Sequence, residues 1–387
     1  MNTKQRNLLF SRCFYTFFIS GMAVLIIGAI LPYLIKEANM NYSVAGGLLS
    51  AFAIGNLLAS FFSPFLASKI GRKKTIITLS ALVPIGLTIV TFLPPTSILY
   101  ITFLFIGIGR GSISNFNNAV INDYSDGKPL ALNLLHTFFA LGAFLAPFMT
   151  STMIGWNFTW KQVLYVVIFL CWTSFITYFT MTLEDQKPSQ KKGAPSQAPA
   201  SKFLKSFDFY CIGLILFFYI GVENCINGWF VTYLQNIGVM SEAFATNLVS
   251  ITWLVIMIGR LTTGYLSTKV SKKLLVLVNC IGSALAFFLL ISTTNIVWIT
   301  IAIVAFGFFL AGIYPTSIAN AGSLIKGSAS GMALLLAIAA IGGIITPQIV
   351  GWIADSLGIV QAISFLAVSV ILMVLFSIIN YKRKVIE

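Results

Sequence analysis

Charged residues are scarce in this chain, and acidic residues are the scarcest. Of 387 residues only 9% are charged and ten are Asp or Glu, whereas 58% are hydrophobic. A soluble domain carries about 25% charged residues. The deficit extends along the whole chain, which excludes a soluble protein with one membrane anchor. It indicates a protein that crosses the membrane many times.

Histidine and cysteine are also few, and this limits the available chemistry. His136 is the one histidine in the sequence, which excludes a metal site built from several imidazoles. No nucleophile triad or phosphate-binding loop is present. We therefore expect neither an enzyme nor a bound cofactor or metal. Five cysteines show no pairing pattern and are expected to pack in the core: Cys13, Cys171, Cys211, Cys225 and Cys280.

Long apolar runs are abundant. Twelve of them can each cross a bilayer core of about 30 Å, and helices are expected because lipid cannot satisfy backbone polar groups. The sequence predicts an all-α membrane protein with twelve transmembrane helices. The predicted spans are residues 9–35, 43–67, 75–94, 97–122, 130–153, 162–182, 207–235, 243–266, 274–292, 296–321, 330–353 and 358–380.

The net charge of +14 follows the predicted topology. Most Lys and Arg residues lie beside the termini, in the central polar segment or after even-numbered spans. Of the basic residues outside the spans, only Lys36 and Lys161 lie on the side of the membrane opposite the termini. This positive-inside bias predicts an integral protein of the plasma (cell inner) membrane with both termini cytoplasmic. The expected partners are the lipid bilayer and a small-molecule substrate, not nucleic acid, and we expect a monomer.

The chain divides into two halves that repeat. Residues 183–205 are rich in Pro, Ser, Gln and Lys, which is typical of a flexible linker. The predicted domains are two six-helix bundles, 1–182 and 206–387. Glycines recur at equivalent positions of the two halves: Gly21 with Gly221, Gly107 with Gly307, and Gly142 with Gly342. Parallel repeats of this kind are found in transporters that bind substrate at the midplane between the halves.

Glu223 stands in the middle of the seventh span, in the run YIGVENCINGWFVTYL. A carboxylate at that depth costs about 2.5–3.5 kcal/mol and usually has a function. Tyr219 and Asn227 share its helix face, and Trp229 follows. Carboxylate, amide and indole groups together suit a polyhydroxylated ligand. The alternative is a packing role in which Glu223 holds a neighbouring helix.

The fourth and fifth spans carry the complementary polar groups. Arg110 lies at the middle of the fourth span, with Ser114, Asn117 and Asn118 following along one side. Asn133 and His136 share a face of the fifth span. Tyr314, in the tenth span, is a candidate for the wall of the substrate site. Arg110 and Glu223 are predicted to pair across the two halves, either as a switch or as a static ion pair. Arg260 is expected to be structural, near the cytoplasmic end of the eighth span.

Two loops resemble a known motif. PFLASKIGRKK (residues 64–74) and GYLSTKVSKKL (264–274) resemble the cytoplasmic loop motif of the major facilitator superfamily, with Ser68 at the motif's acidic position. Y-x-G-x-E in the seventh span and LN-x-x-H in the fifth resemble the fucose permease and sodium–glucose symporter group. This resemblance implies two six-helix bundles around a central cavity and inward symport of a monosaccharide with H⁺ or Na⁺. The matching positions are Glu223, Asn118, Asn133, His136 and Trp229.

The leading hypothesis is therefore cation-coupled uptake of a monosaccharide by alternating access, with Glu223 and Arg110 in coupling. The candidate substrate-binding residues are Asn118, Asn133, His136, Asn227, Trp229 and Tyr314. One alternative is transport of an anionic metabolite held by Arg110, whose fork suits a carboxylate or phosphate. Another is a proton-coupled drug exporter, which the amide-rich fourth span disfavours.

Overall fold

The computed structural model describes residues 3–125, 129–181, 203–322, 324–325 and 328–383. Every regular element in these ranges is a helix. Twelve helical spans among them are long and apolar enough to cross a membrane, which confirms the predicted fold of an integral membrane protein. In chain order the spans are α1 Thr3–Glu37, α2 Tyr42–Ile70, α3 Arg72–Thr91, α4 Thr96–Tyr124, α5 Ala131–Gly155, α6 Trp160–Thr180, α7 Phe207–Asn236, α8 Glu242–Leu266, α9 Lys272–Ser292, α10 Ile296–Ala321, α11 Ser330–Leu357 and α12 Ile359–Lys382.

Three spans, α3, α10 and α12, are interrupted within their length. In α10 the break falls at Gly312, between Ile296–Ala311 and Ile313–Ala321. Pro315 lacks the N–H that would bond to the carbonyl of Ala311, so the helical ladder is broken there. The other interrupted spans consist of Arg72–Ser80 with Leu82–Thr91, and Ile359–Ser364 with Leu366–Lys382.

The predicted linker, residues 183–205, lies outside the described residues except at its end. Phe203–Lys205 form a short 3-10 helix before α7. Phe203 is buried, and its ring centroid lies 5.1 Å from that of Phe209. The last residues of the predicted linker therefore belong to the packed structure. All five cysteines are buried, as predicted.

Packing divides the chain into two compact units that differ from the predicted halves. The first unit holds α1 to α6 together with Asn227–Trp253. The second holds the remaining described residues, up to Ile226 and from Leu254 onward. The reason is local packing on α1 and α5. Gly28 meets the backbone of Asn227 and Gly228, and the Ser151 hydroxyl donates to the carbonyl of Ala243 at 2.8 Å.

Within the first unit, α1 and α5 cross in close backbone contact. A Cβ atom on Gly142 would meet the carbonyl oxygen of Phe18, and one on Gly21 would meet that of Phe139. Small residues at such crossings allow neighbouring helices to approach closely. The two glycines therefore fix how near these two helices can lie.

The second unit repeats this crossing between α7 and α11. A Cβ atom on Gly342 would meet the carbonyl oxygen of Phe217, and one on Gly221 would meet the Thr346 side chain. Gly221 and Gly342 are the sequence equivalents of Gly21 and Gly142. The repeat predicted from the sequence thus has the same structural role in both units.

The first copy of the loop motif has an ion pair despite its missing acid. Ser68, at the acidic position, donates to the carbonyl of Phe65 in its own helix. Arg72 instead pairs with Asp123 at the end of α4, with Nη1 2.7 Å from Oδ2. In the second unit Lys272 donates to the carbonyl of Ala319 at 3.2 Å. In each unit, a basic residue at the start of one helix therefore bonds to the end of another. The helices are α3 and α4 in the first unit, and α9 and α10 in the second.

Candidate functional site

Two predicted substrate residues meet in the first unit. His136 Nε2 lies 3.1 Å from Asn118 Oδ1, which joins α5 to α4. An amide oxygen only accepts hydrogen bonds, so Nε2 carries the proton in this contact. The His136 side chain is exposed and Asn118 is half-buried. We call these residues the amide–imidazole pair; it presents polar groups on two helices within reach of one small ligand.

Asn133 and Asn117 lie beside this pair but differ in exposure. Asn133 is exposed one turn before His136, and its carbonyl accepts a hydrogen bond from Thr137 at 2.9 Å. Asn117 was expected on the polar side of α4 together with Asn118. It is instead fully buried, donating to the Tyr178 hydroxyl at 3.0 Å and accepting from Thr16 at 3.1 Å. Asn117 therefore joins α1, α4 and α6, because consecutive residues of a helix point about 100° apart.

Arg110 lies in a polar and aromatic contact between α2, α4 and α5. Its Nη1 donates to Asn56 Oδ1 at 2.9 Å. Its guanidinium lies 5.4 Å from the centre of the Phe139 ring, a cation–π contact. Phe139 in turn contacts Trp253, with ring centroids 6.1 Å apart. Asn56 and Phe139 were not identified from the sequence, although an asparagine within an apolar span is the same kind of signal that selected Asn118.

Glu223 lies in a cluster within the second unit. Its Oε1 accepts a hydrogen bond from the Tyr219 hydroxyl at 2.9 Å and lies 3.5 Å from Arg260 Nη2. The Tyr314 ring lies 5.9 Å from that of Tyr219. We call these four residues the carboxylate cluster. The Glu223 and Arg260 side chains are 16% and 31% exposed, so the pair is mostly buried and still accessible.

Asn227 and Trp229 continue α7 into the first unit. Trp229 is fully buried, and its ring centroid lies 6.0 Å from that of Tyr42. Asn227 is half-buried, and its side-chain oxygen is buried without a hydrogen-bond partner among the described residues. In this conformation the indole cannot stack on a ligand unless its contact with Tyr42 opens. Sugar contacts by these two residues stay predictions.

The partner of Glu223 is the main difference from the sequence-based expectation. Arg260 was expected to be a structural residue near the membrane interface, but it forms the ion pair with Glu223. The Arg260 backbone lies near the end of α8, but its long side chain extends back along the helix. The sequence-based expectation judged the depth of Arg260 in the membrane from its position in the span alone. The predicted pairing of Arg110 with Glu223 stays a prediction. Here Arg110 donates to Asn56, inside its own unit.

Sequence comparison places these features in a family. The family model described as Major Facilitator Superfamily matches residues 13–347. The hexuronate transporter of Bacillus subtilis (strain 168) is 25% identical over 92% of this chain and 89% of its own length. The glucose/mannose transporter GlcP of the same organism is 22% identical, covering 87% of this chain and 85% of its own.

Solved structures show the same fold. The nucleoside transporter NupG superimposes with a TM-score of 0.80 at 15% identity, covering 99% of this chain and 100% of that one. A variant of the fucose:proton symporter FucP of E. coli gives a TM-score of 0.62 at 18% identity, covering 97% and 99%. These identities establish the fold alone. With a family model matched across most of its length and twelve apolar spans, this chain belongs to the Major Facilitator Superfamily and is a membrane transporter, not an enzyme.

Proposed function

We propose that this protein imports a monosaccharide together with H⁺ or Na⁺ across the plasma (cell inner) membrane. Both termini are cytoplasmic and the protein works as a monomer. The amide–imidazole pair and Asn133 bind the sugar, and Glu223 binds the coupling cation. The carboxylate cluster carries this proposal, because it holds a mostly buried acid in the middle of a membrane span.

Chemistry supports both parts of the proposal. An intramembrane carboxylate that is partly accessible is a natural site for a proton or a metal cation. Amide and imidazole groups donate and accept hydrogen bonds, as sugar hydroxyls require. Relatives named for glucose/mannose and hexuronate transport, and the fold shared with a fucose:proton symporter, make sugars the first substrates to test.

A proteoliposome uptake panel tests the proposal. Purified protein is given D-glucose, D-mannose, L-fucose or D-glucuronate under an inward gradient of either Na⁺ or H⁺. We expect at least one neutral sugar to accumulate above its external concentration, and to equilibrate when an ionophore removes the gradient. If no neutral sugar accumulates under either gradient, coupled import of a neutral monosaccharide is wrong.

Neighbouring asparagines on α4 give a matched test of the sugar site. Asn118→Ala removes one hydrogen-bonding group of the amide–imidazole pair. We expect it to raise the half-saturating sugar concentration in counterflow about tenfold, equivalent to ~1.4 kcal/mol. The melting temperature should change little, because Asn118 is half-buried and bonds mainly within its own helix turn.

Asn117→Ala serves as the control for that variant. Asn117 is fully buried and joins three helices. We expect it to lower the melting temperature and to leave the half-saturating concentration unchanged, since its loss leaves buried partners unsatisfied. The reverse pattern, with Asn117→Ala weakening sugar binding and Asn118→Ala leaving it unchanged, would place the sugar elsewhere.

A second candidate substrate class is a sugar acid. Arg260 favours it, because its side chain is 31% exposed and a guanidinium binds a carboxylate through two parallel hydrogen bonds. The hexuronate transporter among the relatives points the same way. The sequence-based form of this hypothesis assigned the carboxylate to Arg110. In the uptake panel, preference for D-glucuronate over D-glucose supports this candidate, and equal affinity for both counts against it.

A further inference from the structure

The amide–imidazole pair depends on the direction in which its imidazole ring points. An imidazole donates and accepts hydrogen bonds through two different nitrogen atoms, so its value to a ligand depends on the tautomer and on the rotation of the ring. The His136 side chain is exposed. An exposed side chain samples several rotamers, and fixing one of them on binding costs conformational entropy. A contact that fixes the ring beforehand therefore strengthens binding.

The amide partner of His136 is itself held in one orientation. Asn118 Nδ2 donates to the carbonyl of Ser114 at 2.8 Å, one turn earlier on α4. Asn118 Oδ1 is therefore the atom that faces His136 Nε2, 3.1 Å away. Because an amide oxygen cannot donate, this arrangement selects the tautomer in which Nε2 carries the proton. The hydrogen bond fixes one atom of the imidazole, but the ring can still tilt about it.

A buried aromatic ring on α1 restrains that tilt. The ring centroids of Phe17 and His136 lie 5.4 Å apart, with an angle of 79° between the ring planes. This is the edge-to-face geometry that aromatic rings prefer. Phe17 is 1% exposed, and its ring centroid also lies 5.2 Å from that of the buried Phe139. Phe17 thus contacts a buried residue of α5 and an exposed residue of the same helix.

The backbone on either side of Phe17 has little freedom to move. The carbonyl oxygen of Phe18 occupies the place that a Cβ atom on Gly142 would take, so α1 and α5 are in close contact there. The Thr16 hydroxyl donates to Asn117 Oδ1 on α4 at 3.1 Å. The two neighbours of Phe17 therefore tie α1 to α4 and to α5. The Phe17 ring has a fixed place at the junction of these three helices.

We propose that Phe17 is a positioning residue for the sugar site. Its ring holds the His136 imidazole with Nε2 directed at Asn118 before the sugar arrives, so less rotational freedom is lost when the sugar binds. Phe17 acts through His136 and does not touch the sugar itself. The inference rests on the proposed function, in which the amide–imidazole pair binds the sugar.

Because the chain has a single histidine, the orientation of this ring can be measured directly. Protein that carries histidine labelled isotopically in its imidazole nitrogens, purified without a histidine tag, gives nuclear magnetic resonance signals from His136 alone. For the wild-type protein we expect one protonated Nε2 signal and one unprotonated Nδ1 signal. Phe17→Leu removes the aromatic edge, so both signals should broaden or split as the ring samples further orientations. Asn118→Ala removes the acceptor and provides the reference spectrum of a released imidazole.

Transport kinetics test whether this orientation matters for the sugar. In counterflow of the sugar that accumulates best in the uptake panel, we expect Phe17→Leu to raise the half-saturating concentration about fivefold, the size of one edge-to-face contact. The maximal rate per folded protein should stay close to that of the wild-type protein. A merely structural loss lowers the amount of active protein, and hence the maximal rate, without changing the half-saturating concentration.

Phe116→Leu is the matched control. Phe116 is also a buried ring of the first unit, and it makes an edge-to-face contact with Tyr178, with centroids 5.5 Å apart and an angle of 90°. The variant therefore loses the same kind of contact, but between α4 and α6. We expect both leucine variants to lower the melting temperature. Phe116→Leu should keep the wild-type imidazole signals and the wild-type half-saturating concentration.

Wild-type imidazole signals in Phe17→Leu, or an unchanged half-saturating concentration, would overturn the inference. Equal changes in Phe116→Leu would overturn it as well. If Phe17→Leu protein is not recovered, Phe17→Met decides the question, because a flexible methionine side chain refills the space without an aromatic ring. The spectra require no transported substrate. Wild-type protein that accumulates no sugar therefore refutes the proposed function, while the spectra still decide whether Phe17 orients His136.

Discussion

Glu223→Gln is expected to abolish accumulation of sugar against its gradient. A membrane potential of 100 mV supplies about 2.3 kcal/mol per charge, enough for an accumulation ratio of about 50 with one coupled cation. Glutamine retains the shape and can still accept from Tyr219, but it does not take up a cation. The ratio of internal to external sugar should therefore fall to about one, while exchange of sugar across the membrane persists.

Glu242→Gln is the matched control for that experiment. Glu242 is an exposed acid at the start of α8 that accepts a hydrogen bond from the Tyr33 hydroxyl at 3.2 Å. The glutamine side-chain oxygen can still accept that hydrogen bond. The ratio of internal to external sugar should therefore stay at the wild-type value. The measurement is uptake of labelled sugar into proteoliposomes under the gradient that drives the wild-type protein. A Glu223→Gln variant that still accumulates sugar would remove this residue from coupling.

Gly142→Leu is expected to prevent the first unit from folding. The added Cβ alone would overlap the carbonyl oxygen of Phe18, and backbone atoms cannot move aside as a flexible side chain can. The reciprocal contact of Gly21 with the Phe139 carbonyl leaves α1 no room to shift. We expect a loss of more than about 4 kcal/mol, in the range of the most damaging single substitutions. The protein should then be absent from the monodisperse fraction after extraction in mild detergent.

Gly264→Leu provides the comparison in the second unit. Gly264 also lies in a membrane span, on α8, but an added Cβ would have no atom within 4 Å. The variant should give the wild-type yield and a similar melting temperature by size-exclusion chromatography after heating. Wild-type yield and stability for Gly142→Leu would show that α1 and α5 do not cross as described.

The fold was largely predictable from the sequence, because local properties of the chain determine where each helix begins and ends. Each apolar span must satisfy its own backbone and face lipid, so length and hydropathy alone identify it. The predicted bounds therefore agree with the observed helices to within a few residues in most spans, and α10 agrees at both ends. The interruption of α10 near Pro315 also has a local cause, because proline has no N–H to continue the helical hydrogen bonds.

The candidate site was predictable only in part, because side-chain partners depend on how helices rotate and pack. Asn118 and His136 were selected as substrate residues from their chemistry, and the structure brings them within 3.1 Å of each other. Asn117, one position away, is buried in a structural network. No pattern in the sequence distinguishes the two amides, since the difference lies in which neighbouring helix each one faces.

By itself, the sequence determined that this protein is a helical membrane transporter built from a repeat, with Glu223 as an acid in the middle of a span. Composition and span length decide the helical membrane class, the recurring glycines indicate the repeat, and the family model identifies a transporter, all without any knowledge of packing. Only the tertiary structure decided that Arg260 forms an ion pair with Glu223. Residue position gives the depth of a Cα atom, whereas an arginine side chain spans about a helical turn and pairs with whatever acid the neighbouring helix presents.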